Sequence, residues 1–310
     1  MEQVLDIGLV ITTLRLTTPL LLAALGGLLC ERSGVINIGL EGMMLVGALG
    51  AALGSYYTGS PWVGLIVAML AGGALGGLHA YLSVRWSADQ VLSSLSLNIL
   101  AIGATGFLLQ VLFRQGGNTP EVPALPDLTI PILSKIPILG RIVSGQNFLV
   151  YVAMSLPFIV HVFLHRTPWG IWVKAAGEHP RAVQTFGINV FAIRYLAVTA
   201  GGVLAGLGGA YLSIGQMRLF SENMTSGRGF IAVAAVIFGK WQPLGVLAAT
   251  LAFALFDALQ LTLQITIGNI IPKEVFLSLP YIVTLVVLTG VVGEAISPAS
   301  VGQPYEREGR

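Results

Sequence analysis

Charge is what this sequence is short of. Only 10% of its 310 residues are Asp, Glu, Lys or Arg, against roughly a quarter in an ordinary soluble domain. In their place stand hydrophobic residues, 55% of the chain, with a mean hydropathy of +0.84. The basic and acidic side chains leave a net charge of +2, and no basic block is present. That argues against nucleic acid as a partner and leaves the lipid bilayer as the natural solvent.

Cysteine is scarcer still. Cys30 stands alone, so no intramolecular disulfide can form, and Leu29 occupies the place where a lipoprotein signal peptidase needs a small residue. The start Met1-Glu2-Gln3-Val4-Leu5-Asp6 lacks the basic region of a cleavable signal, so the first apolar stretch is expected to stay in the mature chain. Catalytic patterns are missing too. His161 and His165 lie one turn apart without the adjoining Glu of a zinc-protease helix, His79 and His179 add no third ligand, and there is no G-x-S-x-G. Gly239-Lys240 is followed by Trp241 and lacks the upstream Gly of a phosphate-cradling loop. The chain is therefore expected to be no enzyme, to hold no metal or cofactor, and not to hydrolyse ATP itself.

Long apolar stretches are plentiful, and about 20 such residues carry a helix across the hydrocarbon core. Nine recur, over residues 5–29, 35–57, 62–83, 91–113, 148–165, 193–215, 229–239, 243–265 and 277–293. They predict a polytopic all-α bundle of about eight to ten helices forming one transmembrane domain over 1–310. The seventh stretch is too short to cross straight and is expected to be half-buried or re-entrant. Arg15 lies inside the first stretch, which leaves open that residues 2–14 lie along the interface as an amphipathic piece. With the loop 166–192 inside, the inner side collects nine Lys and Arg against six outside, Arg228 being counted among the outer ones. The N-terminus is then out and the C-terminus in.

An internal echo accompanies the spans. Gly72-Gly73-Ala74-Leu75-Gly76-Gly77-Leu78 with Ala80-Tyr81-Leu82-Ser83 returns as Gly201-Gly202-Val203-Leu204-Ala205-Gly206-Leu207 with Ala210-Tyr211-Leu212-Ser213. The copies fall on spans of opposite direction, as in the inverted repeats of transporters. Gly72, Gly76 and Ala80, and Gly202, Gly206 and Ala210, are small residues four apart that let helix backbones approach in lipid.

Polar residues inside membranes face a cavity or a partner helix. Asn37, Gly39 and Glu41 share a Gly-rich stretch suited to a broken helix, whose exposed peptide dipoles can meet a solute. Ser94, Asn98 and Thr105 form one polar stripe, and Thr250, Asp257, Gln260 and Gln264 another. Thr225 and Arg228 lie in a flexible, donor-rich entry to the short seventh stretch. These residues are the candidate substrate pathway; for each stripe an interhelical hydrogen-bonding role is equally open, and for the Thr225 segment an exposed turn.

The loop 166–192 carries a short helix in prospect. Pro180 suits a first turn, Gly187 a C-terminal stop, and Ala182, Val183 and Phe186 give a small apolar face. Its run Gly177-Glu178-His179-Pro180-Arg181-Ala182, then Phe186-Gly187-Ile188, resembles the coupling-helix region of ABC importer permeases of the branched-chain amino acid, simple-sugar and nucleoside family. Glu31 to Leu45, Gly227 to Ala232 and Ile237 to Pro243 are similar to the nucleoside and simple-sugar branch. The resemblance implies a bacterial plasma-membrane machine: two permease chains, the second a related one, two cytoplasmic ATPase subunits that bind the ATP-Mg, and an external solute-binding lipoprotein. It also implies that Glu178, Pro180, Arg181, Ala182 and Gly187 contact the ATPase, and that the solute is a nucleoside or a sugar-like molecule. The proline-rich outer loop 115–147 suits a platform for the binding protein or a lid over helix ends. An ion-coupled secondary transporter shares the repeats, broken helices and buried carboxylates; what it has no use for is a docking helix in the loop 166–192.

Overall fold

The computed structural model describes residues 7–114, 116–129, 139–267 and 295–305; the expected span at 277–293 lies outside them. The helices are α1 (Ile7–Arg32), α2 (Leu40–Thr58), α3 (Pro61–Ala80), α4 (Gln90–Phe113), α5 (Leu139–Val143), α6 (Phe148–Arg166), α7 (Pro168–Glu178), α8 (Pro180–Thr185), α9 (Val190–Ala210), α10 (Arg228–Phe238) and α11 (Pro243–Ile267). Six of the described helices are long and apolar enough to cross a membrane. The only sheet among the described residues is a two-stranded antiparallel pairing of β1 (Asp127–Leu128) with β2 (Gln146–Asn147) in the proline-rich loop between α4 and α6.

α1 runs unbroken through Arg15, whose Nε donates to Gln146 Oε1 (3.0 Å). A guanidinium with a loop partner needs no interfacial segment, so from Ile7 onward the amphipathic alternative is set aside.

Two faces of the bundle are defined by what meets at each. On one, Ser55 donates to the Pro123 carbonyl (2.6 Å), Trp62 packs edge-on against Phe148, and the Thr119, Val122 and Leu125 amides donate to the Phe220, Arg218 and Ile214 carbonyls. The other gathers the end of α1, α7, α8, Trp241 and residues 295–305: Arg32 reaches Glu178 (3.9 Å) and the Trp241 carbonyl (2.7 Å).

α3 and α9 form the most extensive helix pairing in the bundle, and they are the two copies of the sequence echo. They cross antiparallel, Gly76 lying beside Val198 and Gly202 while Gly72 lies beside Gly206. Counted back from the matching Ala80 and Ala210, and so one residue past the offset of the Gly-rich runs, Gly206 is the counterpart of Gly76 and Gly202 that of Gly72, and each contact is the other's mate about a local two-fold axis. Both copies then leave α-geometry at the same place: α3 passes into a π-helical segment at Tyr81–Arg85 and α9 at Tyr211–Met217, immediately after the matching Ala80 and Ala210. Isolated π turns are rare. Their recurrence at one point of both copies makes the inverted repeat a property of the backbone as well as of the letters.

The loop 166–192 holds more helix than the sequence promised. Thr167 caps α7 by accepting from the Gly170 amide (3.2 Å), with Pro168 at the first position. α8 is the expected short helix, started by Pro180 and closed by Gly187 at φ +79°.

Candidate functional site

The bundle is interrupted twice, from opposite faces. Residues 33–39 enter from the α7–α8 face and end at the start of α2; residues 218–227 enter from the other face and end at the start of α10. α10 has 11 residues, about 16 Å at 1.5 Å per residue, which is half a crossing, as the shortness of the seventh stretch implied. Arg228 opens it and so sits deep in the bundle, half-buried, where the sequence count had placed it in an outer loop.

The two interruptions meet at Glu41. Its Oε1 accepts from the Gly227 amide (2.8 Å) and its Oε2 from the Gly229 amide (2.6 Å), and the residue is 4% exposed. A carboxylate in the first turn of α2 thus caps the N-terminus of α10, where unpaired amides and the helix dipole favour negative charge.

The first interruption strips the backbone of helical partners, and α4 supplies them one turn at a time. Gln90 Oε1 accepts from the Ile36 amide (2.7 Å), Ser94 Oγ from the Ile38 amide (3.3 Å) and Asn98 Oδ1 from the Gly42 amide (2.8 Å), while Asn98 Nδ2 donates to the Ile38 carbonyl (3.1 Å). His79 Nε2 donates to the Ile36 carbonyl (2.9 Å), which fixes the proton on that nitrogen, and Nδ1 pairs with Ser93 Oγ (3.1 Å). Asn37 turns on itself: its Oδ1 accepts from the Gly39 amide (3.0 Å) and its Nδ2 donates to Cys30 Sγ and Met43 Sδ. The candidate residues Asn37, Gly39, Glu41, Ser94 and Asn98 therefore come together; the side chains of Asn37, Ser94 and Asn98 serve this backbone, and that of Glu41 serves the start of α10. Gln90 and His79 belong with them; the one-turn spacing from Gln90 to Ser94 was the signal available for the former.

This arrangement sets an expected result. Asn98→Ala strands a buried amide at Gly42 and a carbonyl at Ile38, and should lower the stability of the detergent-solubilised protein by about 2 kcal/mol, read as a fall in its thermal midpoint. An unchanged midpoint would mean that water takes over both groups.

Other candidates face differently. Thr225 is fully buried and its Oγ1 has no hydrogen-bond partner among the described residues. Arg228 donates to the Met224 and Thr225 carbonyls (3.2 and 3.3 Å). Asp257 and Gln260 lie half-buried on α11, with Asp257 within electrostatic range of Arg228. Thr105 and Thr250 bond back to carbonyls of their own helices. The far side of α4 carries a second stripe that the sequence reading passed over, Ser96, Gly103 and Gln110, seven apart and all exposed among exposed Leu, Ile and Phe.

On the face shared by α7 and α8, Glu178 is held by Arg32 (3.9 Å) and accepts from the Ala299 amide (3.2 Å). Arg181, Ala182, Phe186 and Gly187 are exposed, Phe186 by 84%, while Val183 turns inward. The small apolar face of α8 is thus split, Val183 anchoring the helix and Phe186 projecting from it. A cleft of about 640 Å³ opens between α8 and residues 299–305, floored by Arg194.

Residues 9–288 match the family described as branched-chain amino acid transport system / permease component, and the chain belongs to that family. It is a multi-pass protein of the plasma membrane. Three relatives align over nearly their whole length. NupQ of Bacillus subtilis, a guanosine ABC transporter permease protein, is 39% identical over 98% of this chain and 97% of its own. NupC of Lactococcus lactis, a nucleoside ABC transporter permease protein, is 36% identical over 93% of each. TsgC13 of Haloferax volcanii, provisionally named a glucose ABC transporter permease protein, is 36% identical over 97% of this chain and 98% of its own.

Proposed function

We propose that this chain is one of two related permease chains of an ABC importer for an uncharged polar solute, a nucleoside in the first instance. The carrying observation is the Glu41 cap. The buried helix N-terminus that would otherwise draw an anion is already neutralised by a carboxylate within the same chain, and Arg228 has Asp257 within electrostatic range. A pathway balanced in this way suits a neutral nucleoside better than a charged amino acid or a phosphate ester. The guanosine and nucleoside relatives support the choice within that class, and the glucose relative marks the competing solute.

In this reading the α7–α8 face is cytoplasmic, a separate ATPase binds the ATP-Mg and grips α8 through Arg181, Ala182 and Phe186, and an external lipoprotein delivers the solute to the loop 115–147. Thr225, Arg228, Asp257 and Gln260 line the route. The exposed Ser96–Gly103–Gln110 stripe faces the second permease, since polar groups are expensive against lipid. An ion-coupled carrier remains the competing class, and α8, with its projecting Phe186, is the feature that it leaves without a use.

The test is reconstitution of this chain with the second permease and the ATPase from its own locus in liposomes, with the binding protein outside. Guanosine uptake should depend on ATP, excess glucose should not compete, and Phe186→Asp should release the ATPase. Uptake driven by a proton or sodium gradient without bound ATPase would overturn the importer; competition by glucose with no effect of guanosine would move the solute to the sugars.

A further inference from the structure

Arg194 is the largest fully enclosed side chain among the described residues, 2% exposed, and it has no part in the importer reading. It stands in the first turns of α9, and its donors point three ways. Nε donates to the Ser33 carbonyl (3.1 Å), the first peptide of the interruption after α1; Nη1 donates to the Gln303 carbonyl (3.1 Å); Nη2 donates to Ser300 Oγ (3.2 Å). The Tyr305 ring lies 5.9 Å from the guanidinium carbon. A cation this deep costs free energy unless its hydrogen-bonding capacity is met, and here it is met by two chain segments that are far apart in sequence.

The segment 299–305 is fastened on both its sides. Toward the α7–α8 corner, the Ser300 amide and hydroxyl donate to the Gly177 carbonyl (2.9 and 2.7 Å), the Ala299 amide donates to Glu178 Oε2, and the Tyr305 hydroxyl bonds Gln184 of α8. Toward the interruption, the Gly302 amide donates to the Gly34 carbonyl (3.3 Å). Gly34 itself has φ +95°, and a Cβ there would stand 2.6 Å from Arg194 Nη2. A second path runs beside the first: Glu178 to Arg32, Arg32 to the Trp241 carbonyl, and the Trp241 indole to Glu31 (2.5 Å).

We infer that residues 299–305, locked by Arg194, are a tie that makes the α7–α8 corner and the interrupted segment 33–39 one rigid body, so that displacement of α8 is delivered to Glu41 and the α2–α10 junction. The inference rests on α8 being the ATPase contact. Arg194 is a positioning residue in it. The geometry favours transmission over mere anchoring because the strap bonds both moving parts at once and bonds neither through an apolar face that could slide; interlocked hydrogen bonds leave few alternative arrangements.

The experiment uses nitroxide labels at Ile171→Cys on α7 and Tyr57→Cys at the far end of α2, both exposed sites, in the purified permease–ATPase complex; native Cys30 is buried and out of reach of the reagent. The distance distribution is measured nucleotide-free and trapped with ATP and vanadate. One narrow distribution, unchanged between the two states, is expected for the wild type. Arg194→Ala and the double variant Ser300→Ala/Tyr305→Ala should each broaden or shift it and lower guanosine moved per ATP by about tenfold, the scale of a typical coupling between sites. The double variant combined with Arg194→Ala should do no worse than the more severe of the two, since all act on one tie. Arg194→Lys, which keeps the charge but reaches fewer acceptors, should recover part of the loss. A wild-type distance that changes on trapping, or variants with the wild-type distribution, would overturn the tie. If no ATPase binds the wild type, it is the importer reading that fails, and the labelled permease alone still reports whether the variants loosen the corner from α2.

Discussion

Glu41→Gln should abolish uptake while leaving a membrane-inserted chain. Both carboxylate oxygens accept amide protons of the α10 N-terminus, at 2.8 and 2.6 Å. An amide side chain offers one acceptor and sets its NH₂ against the second donor. Hydrogen bonds to a charged group are worth about 1.5–3 kcal/mol each, and a buried amide left unpaired adds its desolvation cost. Together these make about 3–5 kcal/mol, enough to let α10 part from α2 and to cut the initial rate of ATP-driven uptake by about 100-fold or more. Glu41→Asp should fail almost as badly, because a carboxylate one methylene shorter cannot span Gly227 and Gly229 together. Normal yield of the permease–ATPase complex with lost uptake is the expected pair of readings. Uptake within about twofold of wild type in Glu41→Gln would mean that the cap is dispensable and that the neutral-solute argument built on it loses its footing.

The same junction divides what could be read in the letters from what could not. Helix existence was legible: apolar runs located α1 to α4, α6 and α9 to α11 to within a few residues, except that α2 begins at Leu40, five residues later than its apolar run. The delay has a cause. Val35, Ile36 and Ile38 are apolar and count toward a span, yet Gly34 at φ +95° ends α1 and the segment as far as Gly39 stays non-helical, its peptides paired with Gln90, Ser94 and Asn98. The one-turn spacing of Ser94 and Asn98 announced a polar face. Which backbone that face serves, 56 residues away for Asn98 and Gly42, leaves no mark in local spacing. α7 was not expected in the loop 166–192, although Thr167 and Pro168 together start a helix there. Arg194 entered the sequence reading only as one more inner charge; its burial depends on residues 300 and 303, more than a hundred positions on.

The other large effect belongs to the crossing of α3 and α9. A Cβ at Gly202 would fall on the Gly72 carbonyl oxygen and within 2.9 Å of Gly76 Cα; a Cβ at Gly72 would fall on the Gly202 carbonyl oxygen and within 2.8 Å of Gly206 Cα. These are backbone atoms, so no rotamer change relieves the overlap and the helices must separate along their whole seam. Overpacking alone costs about 1–3 kcal/mol, and the lost seam adds to it, so Gly202→Val should leave little folded protein when the solubilised chain is followed by size-exclusion fluorescence. Gly103→Ala on α4, with nothing within 4 Å of the added carbon, should be neutral or gain up to about 1 kcal/mol from helix propensity. The local two-fold sharpens the expectation. Gly72→Val should cost about what Gly202→Val costs, and once either has pushed the helices apart the other should add little, the non-additivity expected of residues sharing one gap. Equal single effects with a sub-additive pair would establish that the two copies support each other across the axis. A tolerated Gly202→Val would mean that the seam yields, and that the inverted repeat persists for a reason other than close packing.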